Sequence, residues 1–160
     1  MASREVKATI AIDHPAHEVY AFYRDMTHFP LFLGDVMAVE AVDPDRYRWT
    51  IQGPLGSEIH WIIDILEARP DTLLRYGTET TEGLRAIWTT NFEPVDRGTG
   101  VRVTQSLHMP FEPLSGVLLT LIGKSPQGEV EANLRRLKEL LETGKVTTLA
   151  HAVPGKFGAR

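Results

Sequence analysis

The stretch RYRWTIQGPLGSEIHWIIDIL, residues 46–66, carries the pattern that decides the fold. Large apolar side chains alternate with polar ones on both sides of the turn at 53–56. A period of two is typical of strands with one buried face, and a short turn makes neighbouring strands antiparallel. We therefore predict a hairpin of strands 46–52 and 58–66. Its buried face presents Tyr47, Trp49, Ile51, Ile59, Trp61, Ile63 and Ile65.

The same alternation continues outward from this hairpin in both directions. Helical spacing of apolar residues predicts a helix capped by Asp13 with Pro15 in its first turn, a short helix or turn over 27–33, and a long helix over 114–142. Pro126 lies inside that last pattern, so we expect a kink or a break there. Further strands are predicted over 6–12, 36–42, 73–78, 85–94 and 100–109.

This element order predicts an α+β fold. One curved antiparallel sheet of about seven strands would wrap around the long C-terminal helix, with short helices after the first strand. Such a sheet does not close tightly on a single helix at both ends, so we expect an internal pocket, apolar with a few polar groups. Residues 1–144 would form one domain and 145–160 a loose tail.

The register of strand 58–66 determines which polar groups face the pocket. In the predicted register Glu58, His60 and Asp64 face outward. A slip of one residue would exchange the two faces and bring all three into the interior. That alternative stays open from the sequence alone.

Composition excludes several classes of function. The formal net charge is -4, whereas nucleic-acid binding usually needs a concentrated basic face. Cysteine is absent, which rules out disulfides and thiolate chemistry. The N-terminus lacks the apolar run of a signal peptide and no stretch is long enough to span a bilayer. We expect a cytoplasmic monomer or weak homodimer that needs neither a metal nor a nucleotide cofactor.

Short motifs distributed along the chain carry a family resemblance. They are HPAHEVYAF (14–22), FPLF (29–32), YRW (47–49), GPLG (53–56), Trp61, ILEARP (65–70), FEP (92–94), GTGVRV (98–103) and LRRLK (134–138). With these motifs the chain resembles the START-like superfamily, which includes the birch-pollen-allergen fold, and more narrowly the polyketide cyclase/dehydrase and coenzyme Q-binding-protein families. The resemblance implies a helix-grip fold with an enclosed ligand cavity, over roughly residues 4–144.

The inward faces supply the candidate binding residues. Three tryptophans and Tyr76 could form a stacking wall for a planar ring, or could simply be core. We expect no inward histidine or carboxylate, and general acid–base catalysis needs such a group. The candidate ligand-binding residues are Tyr47, Trp49, Trp61, Tyr76, Thr78, Trp88, Thr90, Gln105, Leu118 and Ile122.

The predicted function is therefore the binding of an apolar small molecule, such as a lipid, a quinone or a polyketide-like aromatic. The alternative is an enzyme, a polyketide cyclase or dehydratase acting on a poly-β-keto chain in the same cavity. In that case Tyr76, Thr90 and Gln105 would orient the carbonyl groups of the substrate. An inward histidine or carboxylate would favour the enzyme, and a uniformly apolar cavity would favour the carrier.

Overall fold

The computed structural model describes residues 2–81, 83–109 and 125–158. A helix, α1, spans Ala16–Arg24 and a 3-10 helix spans Met26–Leu31. A second helix, α2, spans Pro126–Thr143. The strands are β1 Ala2–Ile12, β2 Val36–Asp43, β3 Arg46–Gln52, β4 Glu58–Arg69, β5 Leu73–Glu79, β6 Arg85–Val95 and β7 Gly98–Met109.

These strands form one antiparallel sheet in the order β1-β7-β6-β5-β4-β3-β2. Each neighbouring pair from β2 to β7 is consecutive in the chain, as short turns dictate. The first strand pairs instead with the last, Ala2 opposite Met109 and Ile12 opposite Thr99. The predicted α+β architecture is confirmed.

The register of β4 is the predicted one. Trp49 of β3 lies opposite Trp61 of β4, so both rings face the interior. His60 faces outward beside Glu58, with His60 Nε2 3.7 Å from Glu58 Oε1. Asp64 accepts a 2.7 Å hydrogen bond from Arg46 Nε on the outer surface. The alternative register, with these polar groups inside, is wrong.

The last helix begins at Pro126, the residue at which a kink or a break was expected. Ser125 precedes it, and its Oγ accepts a hydrogen bond from Gly128 N at 3.3 Å. Proline suits the first turn because its missing N–H would have no intrahelical partner. Gly144 ends the helix with a φ of 77°, the left-handed conformation that glycine readily adopts after the last turn. Residues 114–124 of the predicted helix lie outside the described residues.

The C-terminal segment 145–158 is anchored to the domain, which corrects the prediction of a loose tail. Val153 N donates to Gly34 O at 3.0 Å. Lys156 Nζ donates to the carbonyl oxygens of Leu33 and Val36, each at 2.5 Å. A Cβ at Gly34 would collide with the carbonyl oxygen of His151, so glycine permits this close approach. Hydrogen bonds from the backbone and from Lys156 hold this segment in place. A pattern of alternating or helically spaced apolar residues is therefore not needed.

Aromatic side chains from the two helical segments fill one end of the interior. Tyr23 of α1 packs edge-on against Phe29, with ring centroids 4.9 Å apart, and against Phe92 of β6 at 5.5 Å. Phe29 and Phe32 are fully buried. The second helix packs most closely against β1. The space between α2 and strands β3 to β7 is therefore where a cavity can remain.

Candidate ligand-binding site

A cavity lies between α2 and the inner face of the sheet. Its volume is about 120 Å³. This is somewhat less than the roughly 150 Å³ of an apolar cavity that holds benzene, and far more than the roughly 10–15 Å³ that one water needs. Its lining residues come from α1, the segment 32–36, strands β3, β4, β5, β6 and β7, and α2.

One side of the cavity is an aromatic wall, formed by Trp49, Trp61, Tyr76 and Trp88. Trp88 lies at its centre and stacks on Tyr76, with ring centroids 5.4 Å apart and planes 14° from parallel. Its ring centroid is 5.5 Å from that of Trp49 and 6.4 Å from that of Trp61. Trp61 and Trp88 are only half-buried, so ring surface remains available to a planar partner.

Polar groups on this wall are held by hydrogen bonds. Trp88 Nε1 donates to Gln105 Oε1 at 2.8 Å, which fixes the amide of Gln105 at the cavity surface. Thr90 Oγ1 donates to Tyr23 Oη at 3.0 Å. Tyr23 Oη and Tyr76 Oη lie 2.6 Å apart. Tyr23 and Tyr76 both line the cavity, so two of the three hydroxyl groups belong to residues of its wall.

Not every predicted binding residue reaches the cavity. Trp49, Trp61, Tyr76, Trp88 and Gln105 line it. Leu118 and Ile122 lie outside the described residues.

The three other predicted residues face inward but lie outside the cavity lining. Tyr47 is buried at the end of the sheet near α1, where Arg24 Nη1 donates to its hydroxyl at 3.4 Å. Thr90 is covered by Tyr23, and Thr78 is buried beyond the lining. The inner face of the sheet is larger than the cavity, because α1 and the 3-10 helix fill one end of it.

The opposite side of the cavity is polar, which corrects the expectation that no carboxylate would face it. Asp35, Glu129 and Asn133 line the cavity there, and we call them the polar end. Asp35 lies just before β2, while Glu129 and Asn133 are one turn apart on α2. Asn133 Oδ1 accepts from Gly34 N at 2.9 Å, so its amide is held in place. Two carboxyl groups therefore share the cavity with the aromatic wall.

Burial shifts the proton equilibria of these carboxyls. Loss of solvent raises the pKa of Glu129 to about 7, and the neighbouring charge of Asp35 adds to the effect. Burial likewise raises the pKa of Asp35. A carboxyl that is half protonated near neutral pH can both donate and accept a proton. The carboxyl group of Glu129 at the polar end is therefore suited to proton transfer near neutral pH.

Two cations lie behind the polar end. Arg136 is fully buried, and its Nε donates to Phe32 O at 2.7 Å. Its Nη1 donates to Ala150 O at 2.6 Å and its Nη2 to Asn133 Oδ1 at 2.7 Å. Burial lowers the pKa of Lys156 to about 8. Arg136 thus ties α2, the segment before β2 and the tail into one unit that supports the polar end.

The polar end could not be found from strand alternation, because it involves a turn, a helix and the tail. One signal was available. Glu129, Asn133 and Arg136 are spaced by four and three residues, which places them on one side of a helix, next to the apolar stripe of Val130, Leu134 and Leu137. A polar stripe beside an apolar one indicates groups at the edge of a buried surface.

Two negative findings apply to the part of the chain that the structure describes. Over residues 2–81, 83–109 and 125–158, no group of three or more His, Asp or Glu side chains is placed to hold a metal ion. Within the same ranges no helix combines the length and apolar character needed to cross a membrane.

A family model matches the sequence over residues 3–142, and it describes polyketide cyclase/dehydrase and lipid transport proteins. Among curated proteins, no sequence match to the chain was found.

Solved structures share the architecture. A Thermus thermophilus protein is 27% identical over 85% of this chain and 95% of its own, with a TM-score of 0.69. A Deinococcus radiodurans protein is 25% identical over 88% and 98% respectively, with a TM-score of 0.68. A START superfamily protein from Mycobacterium smegmatis is 12% identical over 86% and 98%, also with a TM-score of 0.68. The likeness to the START protein confirms the helix-grip fold.

Proposed function

Because the chain belongs to the polyketide cyclase/dehydrase and lipid transport family, we propose that it binds an apolar small molecule between the aromatic wall and α2. The ligand would be a lipid, a quinone or a polyketide-like aromatic. The single observation that carries this proposal is the cavity of about 120 Å³ with half-buried tryptophan rings on its surface. Exposed aromatic surface inside a protein is costly unless a ligand covers it.

The direct test is native mass spectrometry of the protein purified from its own host. A co-purifying apolar molecule that is released on unfolding supports carriage. Protein that is empty and that also fails to take up added lipids, quinones and planar aromatics contradicts the proposal.

Replacing Trp88 by alanine should weaken binding of a fluorescent apolar probe about tenfold, because the ring at the centre of the wall is lost. The measurement is a probe titration at a temperature where the variant is fully folded. Phe92→Leu is the matched control, since Phe92 lies on the same strand, is buried, and does not line the cavity. That control should lose stability but keep its affinity for the probe. If both variants lose affinity equally, Trp88 is only a core residue.

We propose the enzyme as the second candidate function, and the polar end favours it. Glu129 can exchange protons near neutral pH, and it lines the same cavity as Tyr76. A carboxyl and a phenol on opposite sides of a substrate are suited to removing a proton next to a carbonyl group and stabilising the resulting enolate. A poly-β-ketone undergoing cyclisation or dehydration requires those steps. No metal or nucleotide is needed for them.

Turnover of a short poly-β-ketone mimic, followed by mass spectrometry, tests this candidate. Glu129→Gln should lower the rate a hundredfold or more, on the order of the contribution of a general acid–base group. Glu131→Gln, an exposed change on the same helix, should have no effect. Absence of turnover in the unaltered protein would exclude the enzyme and leave carriage.

We also propose that the protein works in the cytoplasm as a monomer or weak homodimer, without a nucleic-acid partner. The formal net charge of -4 supports the last point. Strands β1 and β2 lie at the two edges of the sheet, and an edge strand is a surface on which a weak dimer could form.

A further inference from the structure

The C-terminal tail, residues 145–158, places a cation behind the polar end of the cavity. Lys156 lies near the end of this tail, and its Nζ donates to Leu33 O and Val36 O. These two carbonyl groups lie on either side of Asp35 in the chain, so the ammonium group is held beside that residue. The family model ends at residue 142. The tail and its lysine therefore lie outside the part of the chain that the family model matches.

Both carboxyls of the polar end are buried, but their neighbours differ. Burial raises the pKa of Asp35, while Lys156 of the tail and Arg136 of α2 oppose that rise by favouring the anion. Burial also raises the pKa of Glu129, and the negative charge of Asp35 adds to the rise. Two carboxyls in one site do not ionise together easily, because like charges repel. Asp35, the carboxyl beside the tail's cation, therefore ionises first and Glu129 keeps its proton.

The cations behind the polar end have partners of their own. The ring centroid of Phe157 lies 4.8 Å from Lys156 Nζ and 5.1 Å from the guanidinium carbon of Arg136. Glu139 also faces Arg136; burial opposes its ionisation, but hydrogen bonds from the tail lower its pKa to about 2. His151 of the tail lies against the first turn of α2. Burial lowers the pKa of Lys156 to about 8, which leaves its ammonium group mostly charged at pH 7.

Resting on the proposed enzyme, we propose that Lys156 is a positioning residue: its ammonium group holds Asp35 as the carboxylate and so leaves the shared proton on Glu129. Asp35 is then the group that takes a proton from the substrate, and Glu129 is the group that gives one. Lys156 does not line the cavity, so it acts through Asp35 and touches no substrate.

The loss of water from a β-hydroxy ketone shows how the two carboxyls divide the work. The Asp35 carboxylate takes the proton from the carbon next to the carbonyl group, and the electron pair of that C–H bond becomes the new C=C bond. The hydroxyl on the next carbon leaves with its bonding pair and, with the proton from Glu129, departs as water. Asp35 now carries a proton and Glu129 a charge. Because Lys156 favours the Asp35 anion, the proton passes back to Glu129 and the site is restored.

Replacing Lys156 by methionine tests this assignment, because the charge is removed and the length of the side chain is kept. In ¹³C-labelled protein, the side-chain carboxyl resonances of Asp35 and Glu129 would be followed against pH. In the unaltered protein Asp35 should titrate at lower pH than Glu129, whose midpoint should lie at about 7. In the variant the Asp35 midpoint should move upward by about one pH unit, as expected when a nearby opposite charge is lost. The Glu129 midpoint should stay near neutral pH.

The direction of the movement separates an effect of charge from an effect of structure. If Lys156 only anchored the tail, its loss would admit water, and both midpoints would fall toward the ordinary values of 3.8 and 4.5. Lys156→Arg keeps the charge and should leave both midpoints nearly where they are in the unaltered protein. Lys145→Met, an exposed change in the same tail, is the matched control and should move neither.

The results also separate this inference from the proposed enzyme. With turnover of the poly-β-ketone mimic, Lys156→Met should narrow the pH profile of kcat/KM from its acidic side, by the same amount as the Asp35 midpoint moves. If the titrations are as expected but the unaltered protein shows no turnover, the enzyme is wrong and the effect of Lys156 on Asp35 stands. A downward movement of the Asp35 midpoint in the variant overturns the inference. So does a Glu129 that titrates before Asp35 in the unaltered protein, a measurement that needs no variant to fold.

Discussion

Replacing Arg136 by methionine should lower the free energy of unfolding by about 3 kcal/mol, because hydrogen bonds to a buried charged group are lost and their acceptors are left unpaired. Arg136 is fully buried and donates to carbonyl oxygens of Phe32, Thr148 and Ala150. Methionine fills similar space but donates to none of them. Urea unfolding at pH 7 measures the loss.

The same variant should release the tail. Val153 N, which donates to Gly34 O, should exchange its proton with solvent much faster than in the unaltered protein. Arg135→Met is the matched control: it lies on the exposed side of the same helix and should change stability by less than about 0.5 kcal/mol. Equal losses in the two variants would contradict the structural role of Arg136.

Glu129→Gln should stabilise the protein at pH 8 and have little effect at pH 5. The pKa of Glu129 is raised from 4.5 to about 7 in the folded state. Between those two values the folded chain holds a proton that the unfolded chain has released. Stability therefore falls as the pH rises through this window and levels off above it. The full penalty is on the order of 3 kcal/mol, at about 1.4 kcal/mol for each pH unit.

Glutamine cannot ionise, so the variant should not incur this penalty. Thermal unfolding at pH 5 and pH 8 measures the difference between the two proteins. Glu131→Gln, on the same helix but exposed, should show no such pH-dependent gain. If Glu129→Gln gives the same change at both pH values, the carboxyl is not buried as the structure places it, and the proton-transfer hypothesis loses its basis.

The aromatic wall could be predicted from the sequence because strand geometry is strictly periodic. Trp49, Trp61 and Trp88 each occupy the inward phase of an alternating strand, and hairpin turns fix which strands are neighbours. The local pattern therefore predicts that these side chains point into the interior and that they lie near one another. Thr90 follows the same phase yet is covered by Tyr23. Alternation tells which face a residue occupies and does not tell what packs on top of it.

The polar end could not be predicted in the same way. Asp35 and Glu129 are 94 residues apart in the chain, and Lys156 behind them approaches only when the tail folds back onto the segment before β2. No periodic element links them. Burial of their charges is a property of the assembled domain, which is why the sequence pattern suggested an uncharged cavity.

The pairing of β1 with β7 has a consequence for how the protein is made. Its contacts join residues about one hundred positions apart, Ala2 with Met109 at the extreme. During synthesis the first strand must wait, with an unpaired edge, until its partner has left the ribosome. Such long-range pairing slows folding, and an open strand edge invites association with other nascent chains. Assistance from a chaperone that shields extended segments should therefore raise the yield of native protein.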